Sequence, residues 1–263
     1  MFIGERTDAM NIDSSRGTET ETVRVAIVTG ASRGIGAQIA RRLAADGFAV
    51  VVNYASEPGG ADALVATIGA AGGKAVAVQA DVRAPNEVRR LFDAAERAFG
   101  GVDVLVNNAG VMELAPVAET EDASFDRQIA INLKGSFNAM REAAKRLRTG
   151  GRIVNLSSSV VGLLQPTYAV YAGTKAAIEA MTSVLAKELR GRDVTVNAVA
   201  PGPTATDLFL KGKSPELVER LAKAAPLERL GRPEDIASTV SFLAGPDGGW
   251  INGQVVRANG GII

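Results

Sequence analysis

From Val23 onward, short β-branched apolar runs alternate with longer stretches in which apolar residues recur at helical spacing. The short runs predict strands at Val25 to Val28, Ala49 to Asn53, Ala75 to Gln79, Val104 to Val106, Arg152 to Leu156, Val194 to Ala198 and Gln254 to Arg257. The intervals predict helices at Gly34 to Asp46, Gly60 to Ala71, Pro85 to Phe99, Glu121 to Leu147, Tyr168 to Arg190 and Pro233 to Ala244. Strands that are apolar at nearly every position suit a sheet covered on both faces. The expected fold is therefore α/β: a single domain, residues 23–263, with a doubly wound parallel sheet of seven strands and helices on both faces. One stretch breaks the rhythm. Pro201 to Lys223 reads as an inserted loop with a short helix, and its part from about 203 to 223 is the candidate substrate lid.

Composition narrows the chemistry. The 263 residues are 46% apolar and 22% charged, enough for one sizeable core. The 29 basic and 29 acidic residues balance, so nothing points to a nucleic-acid or anionic-membrane partner. Cysteine and histidine are both absent. Disulfides, thiol nucleophiles, Ser-His-Asp triads and the usual zinc sites are excluded together, no metal is expected, and proton chemistry falls to Tyr, Lys, Asp, Glu or water. Residues 1–22 are polar, without a basic start or an apolar run, and read as a disordered extension rather than a signal peptide. No apolar run reaches membrane-spanning length uninterrupted, and a cytoplasmic protein is expected.

Two local patterns carry candidate chemistry. The first strand runs into Thr29-Gly30-Ala31-Ser32-Arg33-Gly34-Ile35-Gly36 and directly on into a helix. Glycines there permit a tight turn, let a pyrophosphate approach the helix N-terminus and allow close helix packing, the arrangement of a Rossmann-type dinucleotide fold. At the end of the second strand, where a carboxylate would bond the ribose hydroxyls of NAD, stands Asn53-Tyr54-Ala55-Ser56, and Glu57 comes several residues late. Arg33 and Ser56 are then candidates for holding a 2′-phosphate, which favours NADPH/NADP+ as cofactor. The second pattern is Tyr171 and Lys175, four residues apart on one helical face. That spacing lets an ammonium favour the ionised phenol and makes Tyr171 a candidate acid/base, with Ser158 able to bond the same substrate oxygen. Tyr168 fails the same test, because Ala172 stands four positions on.

Taken with the rest of the chain, these motifs resemble the short-chain dehydrogenase/reductase family over residues 23 to 261. Thr29 to Gly36 looks like its TGxxxGxG turn, Asp81-Val82 like its adenine-contacting pair, and Asn107-Asn108-Ala109-Gly110 like its NNAG motif. Asn132 matches the helix asparagine, Ser158 stands thirteen residues before Tyr171, and Tyr171 to Lys175 matches YxxxK. Pro201-Gly202, with Thr206, resembles the loop that holds the nicotinamide carboxamide, where Thr204 is a candidate for a backbone bond that Pro203 cannot make. The resemblance implies hydride transfer between a nicotinamide and a carbonyl or alcohol. Tyr171 would act as acid/base, Ser158 would position the oxygen, Lys175 would tune Tyr171 and hold the ribose, and Asn132 would support a proton-relaying water.

Each of these residues also has a structural reading. Asp81 can be a turn former, the Asn107-Asn108 pair can tolerate left-handed backbone, and Ser157 or Ser159 can take the place of Ser158. The scaffold motifs Gly231 to Ile236 and Asn252 to Gly261 are similar to those of 3-oxoacyl-acyl-carrier-protein reductase-like members but do not read substrate. An acyl carrier protein is a candidate partner, with Arg148, Lys187, Arg190 and Arg192 as a basic face for it. A sugar or secondary-alcohol dehydrogenase and a non-enzymatic NADP(H)-binding regulator are the alternative functions. A homotetramer is implied, through the alanine-rich helices Glu121 to Leu147 and Tyr168 to Arg190.

Overall fold

The computed structural model describes residues 23–263, so the extension expected over 1–22 lies outside the described residues. The strands are β1 (Val25–Val28), β2 (Ala49–Tyr54), β3 (Lys74–Gln79), β4 (Val104–Asn107), β5 (Arg152–Leu156), β6 (Thr195–Pro201) and β7 (Val255–Ala258). They form one sheet in the order β3-β2-β1-β4-β5-β6-β7, parallel throughout. The order reverses between β1 and β4, so the crevice at the carboxyl ends of these two strands is where a doubly wound sheet takes its ligand.

The helices are α1 (Gly34–Ala45), α2 (Gly59–Ala70), α3 (Pro85–Phe99), α4 (Asp122–Gln128), α5 (Ser136–Arg146), α6 (Val160–Leu163), α7 (Ala169–Glu188), α8 (Asp207–Leu210), α9 (Pro215–Lys223) and α10 (Pro233–Ala244). Strand alternation divides the core in two. Ala26 and Val28 of β1 point to the face covered by α1, α2 and α10, where Ile39, Leu43, Leu64, Ile236 and Leu243 are buried. Val25 and Ile27 point to the face covered by α3, α5 and α7, against Leu91, Phe92, Met140 and Leu189. Helix ends follow local chemistry. Pro85 opens α3 and left-handed Gly100 closes it, while at α10 the Asp235 carboxylate accepts the Arg232 N–H at 2.7 Å.

The single helix expected over Glu121 to Leu147 is instead α4 and α5 joined by a π-helical stretch, Ile129–Gly135. One local and one tertiary contact mark the break. Ser136 Oγ bonds back to Asn132 O at 2.7 Å, and Gly135 lies so close to Val82 that a Cβ there would stand 2.6 Å from the valine methyl. β6 runs three residues beyond the expected end, because Ala198 to Pro201 pair with Val255 to Ala258 of β7. The segment 201–223 is more ordered than a loop. Thr206 caps α8 by accepting Phe209 N–H, and Ser214 caps α9 by accepting Leu217 N–H.

Candidate active site

The glycine turn between β1 and α1 is built by close approach. A Cβ at Gly30, whose φ is +61°, would lie 2.9 Å from Ala109 Cα, and one at Gly36 would lie 2.6 Å from Gly30 O. Neighbours then hold the turn in place. Asn108 Nδ2 donates to the carbonyls of Thr29 and Gly30, both at 2.9 Å, and Thr29 Oγ1 accepts the N–H groups of Asn108 and Ala109 at 3.0 and 3.1 Å. The sequence reading left Thr29 without a role. The N-terminus of α1 has no side-chain cap and no acidic residue in its first turn. Its first N–H groups lack intrahelical partners and open on the cleft, which fits the pyrophosphate of a dinucleotide.

One cleft of about 1000 Å³ runs from this turn to the start of α7. Every residue proposed from sequence for cofactor or catalysis lines it, with the single exception of Asn132. That asparagine is fully buried behind the wall. Its Oδ1 accepts Val111 N–H at 2.8 Å and its Nδ2 donates to Val111 O at 2.9 Å, so the amide ties the loop after β4 to the π-helical stretch. Both ends of the amide are thereby engaged, while Oδ1 keeps a second lone pair. Asn132 does lie beside Lys175, since a Cβ at Gly110 would stand 3.4 Å from Asn132 Oδ1 and 3.8 Å from Lys175 Nζ.

At the reacting end, Ser158, Tyr171 and Lys175 come together, while Ser157 and Ser159 are turned to other partners. Ser157 donates to Glu179 at 2.6 Å and Ser159 to Ala200 O at 3.2 Å. Ser158 bonds the Tyr171 phenol. Lys175, 4% exposed, donates to Leu156 O at 2.7 Å, and its Nζ lies 5.7 Å from the centre of the Tyr171 ring. The proton affinities depart from the sequence expectation. Burial pushes Tyr171 up to about 12, against the pull of its bond with Ser158 and with Tyr168 adding to the rise. Burial likewise brings Lys175 down to about 8. Desolvation of both groups thus outweighs the attraction that helical spacing alone suggested. Tyr168, set aside in sequence, also lines the cleft, one turn before Tyr171.

At the opposite end, Arg33 and Ser56 are exposed along the cleft edge. Asn53 is a brace rather than an open contact: Oδ1 accepts Gly30 N–H at 3.1 Å, and Nδ2 donates to Ala80 O at 3.0 Å. Asp81 is held below the usual carboxylate range by Arg83, which also lines the cleft and whose Nε bonds both carboxylate oxygens at 3.0 and 2.8 Å. Glu57, judged too late in the sequence, lines the cleft as well.

Of the four residues suggested as a basic face for a carrier protein, Lys187 and Arg190 are exposed, while the other two are engaged within the chain. Arg148 pairs with Asp103 at 2.6 Å and Arg192 donates to Leu147 O at 2.7 Å. Both lie at the amino ends of the strands, across the sheet from the cleft.

The comparisons agree with this geometry. A family profile described as Enoyl-(Acyl carrier protein) reductase matches residues 30–263. A short-chain type dehydrogenase/reductase of Picea abies is 49% identical, the match covering 91% of this chain and 92% of that protein. A chloroplastic NADPH-dependent aldehyde reductase-like protein of Arabidopsis thaliana is 45% identical over 91% of this chain and 94% of its own length. The crystal structure of a short chain dehydrogenase from Burkholderia cenocepacia J2315, in complex with NADP, superposes with a TM-score of 0.86 at 38% identity, covering 91% of this chain and 97% of that one. Fold, cleft and relatives together place the chain in the short-chain dehydrogenase/reductase family of oxidoreductases.

Proposed function

We propose that this protein reduces a carbonyl compound to an alcohol, or runs the reverse, with NADPH/NADP+ as cofactor. One observation carries the reading: Ser158, Tyr171 and Lys175 line the same cleft as the uncapped N-terminus of α1. When bound, NADPH supplies the hydride that the carbonyl carbon takes up and is left as NADP+. Tyr171 gives its proton to the oxygen, so that a C–H and an O–H bond replace the C=O π bond, and solvent restores the phenol proton. Ser158 donates a hydrogen bond to that oxygen and holds it against Tyr171. Lys175 spends one of its three protons on Leu156 O and keeps the others for the ribose hydroxyls.

Preference for the phosphorylated cofactor rests on Arg33 and Ser56 at the cleft edge. The names of the Arabidopsis and Burkholderia relatives support the same choice. Assembly as a homotetramer is part of the proposal, supported by Phe137 of α5 and Val184 of α7, which stand 46% and 55% exposed on the outer helices. So is a cytoplasmic setting. Among the described residues no helix is long and apolar enough to cross a membrane.

The test follows NADPH absorbance with ketones, acetoacetyl thioesters and sugars. Tyr171→Phe should lower turnover ~100-fold or more while NADPH still binds, read by its fluorescence. A variant that kept more than about a tenth of the activity would remove Tyr171 from the acid/base role. Light scattering gives the assembly state, and a monomer mass at micromolar concentration would reject the tetramer.

A further inference from the structure

The substrate half of the cleft is walled by Leu163 of α6, Leu208 and Phe209 of α8, Leu221 of α9 and Ile262 near the end of the chain. These come from four separate segments, so the apolar character is a property of the whole chamber. Charge there is scarce and mostly committed. Four cations line the cleft: Arg33 and Arg83 belong to the end near β2 and β3, Lys175 to the reacting site, and Arg127 is paired with Glu113 at 3.0 Å. Asp207 adds a negative charge on the lid side. A phosphate or carboxylate entering this half would meet no uncommitted cation among the described residues, and stripping its water would go uncompensated.

Beside Asp207 and Gln165, Tyr168 brings a phenol to this half of the cleft. Tyr168 is half-buried at the head of α7, one turn from Tyr171, and its phenol has no hydrogen-bond partner among the described residues. Burial raises its proton affinity, so the phenol keeps its proton and offers one donor and an acceptor. The backbone leading to it is set up at some conformational expense. Thr167 has φ +74°, a left-handed value that a β-branched residue rarely takes, and its carbonyl is fixed by Ala115 N–H at 3.2 Å.

Resting on the carbonyl-reduction reading, we infer that the substrate is an uncharged, largely apolar ketone or aldehyde with a second oxygen, and that Tyr168 positions it by bonding that oxygen. The chamber geometry disfavours phosphorylated sugars and carboxylates. Tyr168 acts on placement rather than on the proton transfer itself.

The experiment measures NADPH oxidation with a tetralone, its ring-hydroxylated analogues and dihydroxyacetone phosphate. The tetralones should exceed the phosphate by at least tenfold in kcat/KM, the worth of a missing charged hydrogen bond. Tyr168→Phe should lower kcat/KM for the best hydroxylated analogue about three- to tenfold more than for the parent tetralone, chiefly through KM. Independently, Leu221→Lys places a cation in the chamber and should shift the ratio toward dihydroxyacetone phosphate by at least tenfold. A wild type that preferred dihydroxyacetone phosphate, or a Tyr168→Phe loss equal on both ketones, would overturn the inference and leave the reductase standing. If no carbonyl compound of the wider panel oxidised NADPH, the carbonyl-reduction reading would fall and this inference with it.

Discussion

Asn53→Asp exchanges one NH2 group for an oxygen at a position only 1% exposed. In the wild type that NH2 donates to Ala80 O at 3.0 Å and, at 3.3 Å, to Val78 O and Tyr54 O, while Oδ1 accepts Gly30 N–H at 3.1 Å. An ionised aspartate would keep the Gly30 contact alone and turn its second oxygen on three carbonyls. A buried charge without its partner costs about 3–5 kcal/mol, a large share of the ~5–15 kcal/mol that holds a typical domain together. The carboxylate escapes part of this by retaining a proton, which restores a donor toward Ala80, so its folded pKa lies above the ordinary ~3.9. Below pH ~4 both folded and unfolded chains are protonated and the variant should sit near wild type; stability is then lost as pH rises toward the folded pKa and stays lost above it.

Urea unfolding at pH 4.5 and pH 8, with NADH and NADPH titrations alongside, checks the reasoning. The expected result is a loss of ~3 kcal/mol at pH 8, a smaller loss at pH 4.5, and weaker binding of both cofactors because the Gly30 turn is loosened. The reasoning fails if the variant is as stable as wild type at pH 8 and gains affinity for NADH. Position 53 would then be a ribose contact after all.

Arg33→Ala should cut the preference for NADPH over NADH by roughly tenfold to a hundredfold, ~1.5–3 kcal/mol, and equal wild-type rates with the two subsaturating cofactors would refute the site. For Lys175, below pH about 8 the proton is held in both folded and unfolded chains and the burial cost is fully present. Between about 8 and 10.5 only the unfolded lysine keeps it, so wild-type stability should gain up to about 3 kcal/mol on Lys175→Met across that window, and a flat difference between their urea curves would count against it. At the foot of the sheet, Asp103 bonds Val25 N–H and Arg148, both at 2.6 Å. In urea unfolding, Asp103→Asn should lower stability by ~2 kcal/mol, less than for a fully buried pair because Arg148 is partly exposed, and an unchanged midpoint would refute the pair's role.

Features set by neighbours along the chain were legible in the sequence. The glycine turn, the parallel strands and the Tyr171-Lys175 spacing each depend on a few consecutive residues or on helical period. What escaped depends on partners far away. Asn53 is fixed by Ala80, 27 positions on, and Asn132 by Val111, 21 positions back, so neither could be recognised as a brace from its own surroundings. The π-helical stretch hides because apolar spacing continues across it. Tyr168 was dismissed for lacking a lysine four residues on, yet its place in the cleft is decided by where α6, Thr167 and Ala115 put the head of α7.

The proton affinities of the central pair show why spacing gave the wrong sign. At 5.7 Å and an effective dielectric of ~20, an ammonium favours a phenolate by about 3 kcal/mol, which alone would lower Tyr171 by ~2 units. Burial charges both groups for leaving water, and in the cofactor-free site it dominates: the phenol moves up to about 12 and the ammonium down to about 8. At pH 7 both therefore still carry their protons. Taking the proton from Tyr171 at that pH costs about 7 kcal/mol, against about 4 for a free tyrosine. A phenol raised in this way is also a weaker acid than a free tyrosine. Carbonyl reduction would leave the Tyr171 phenolate and alcohol oxidation would start from it, so the raised proton affinity lifts the same state in both directions and burial alone sets no direction.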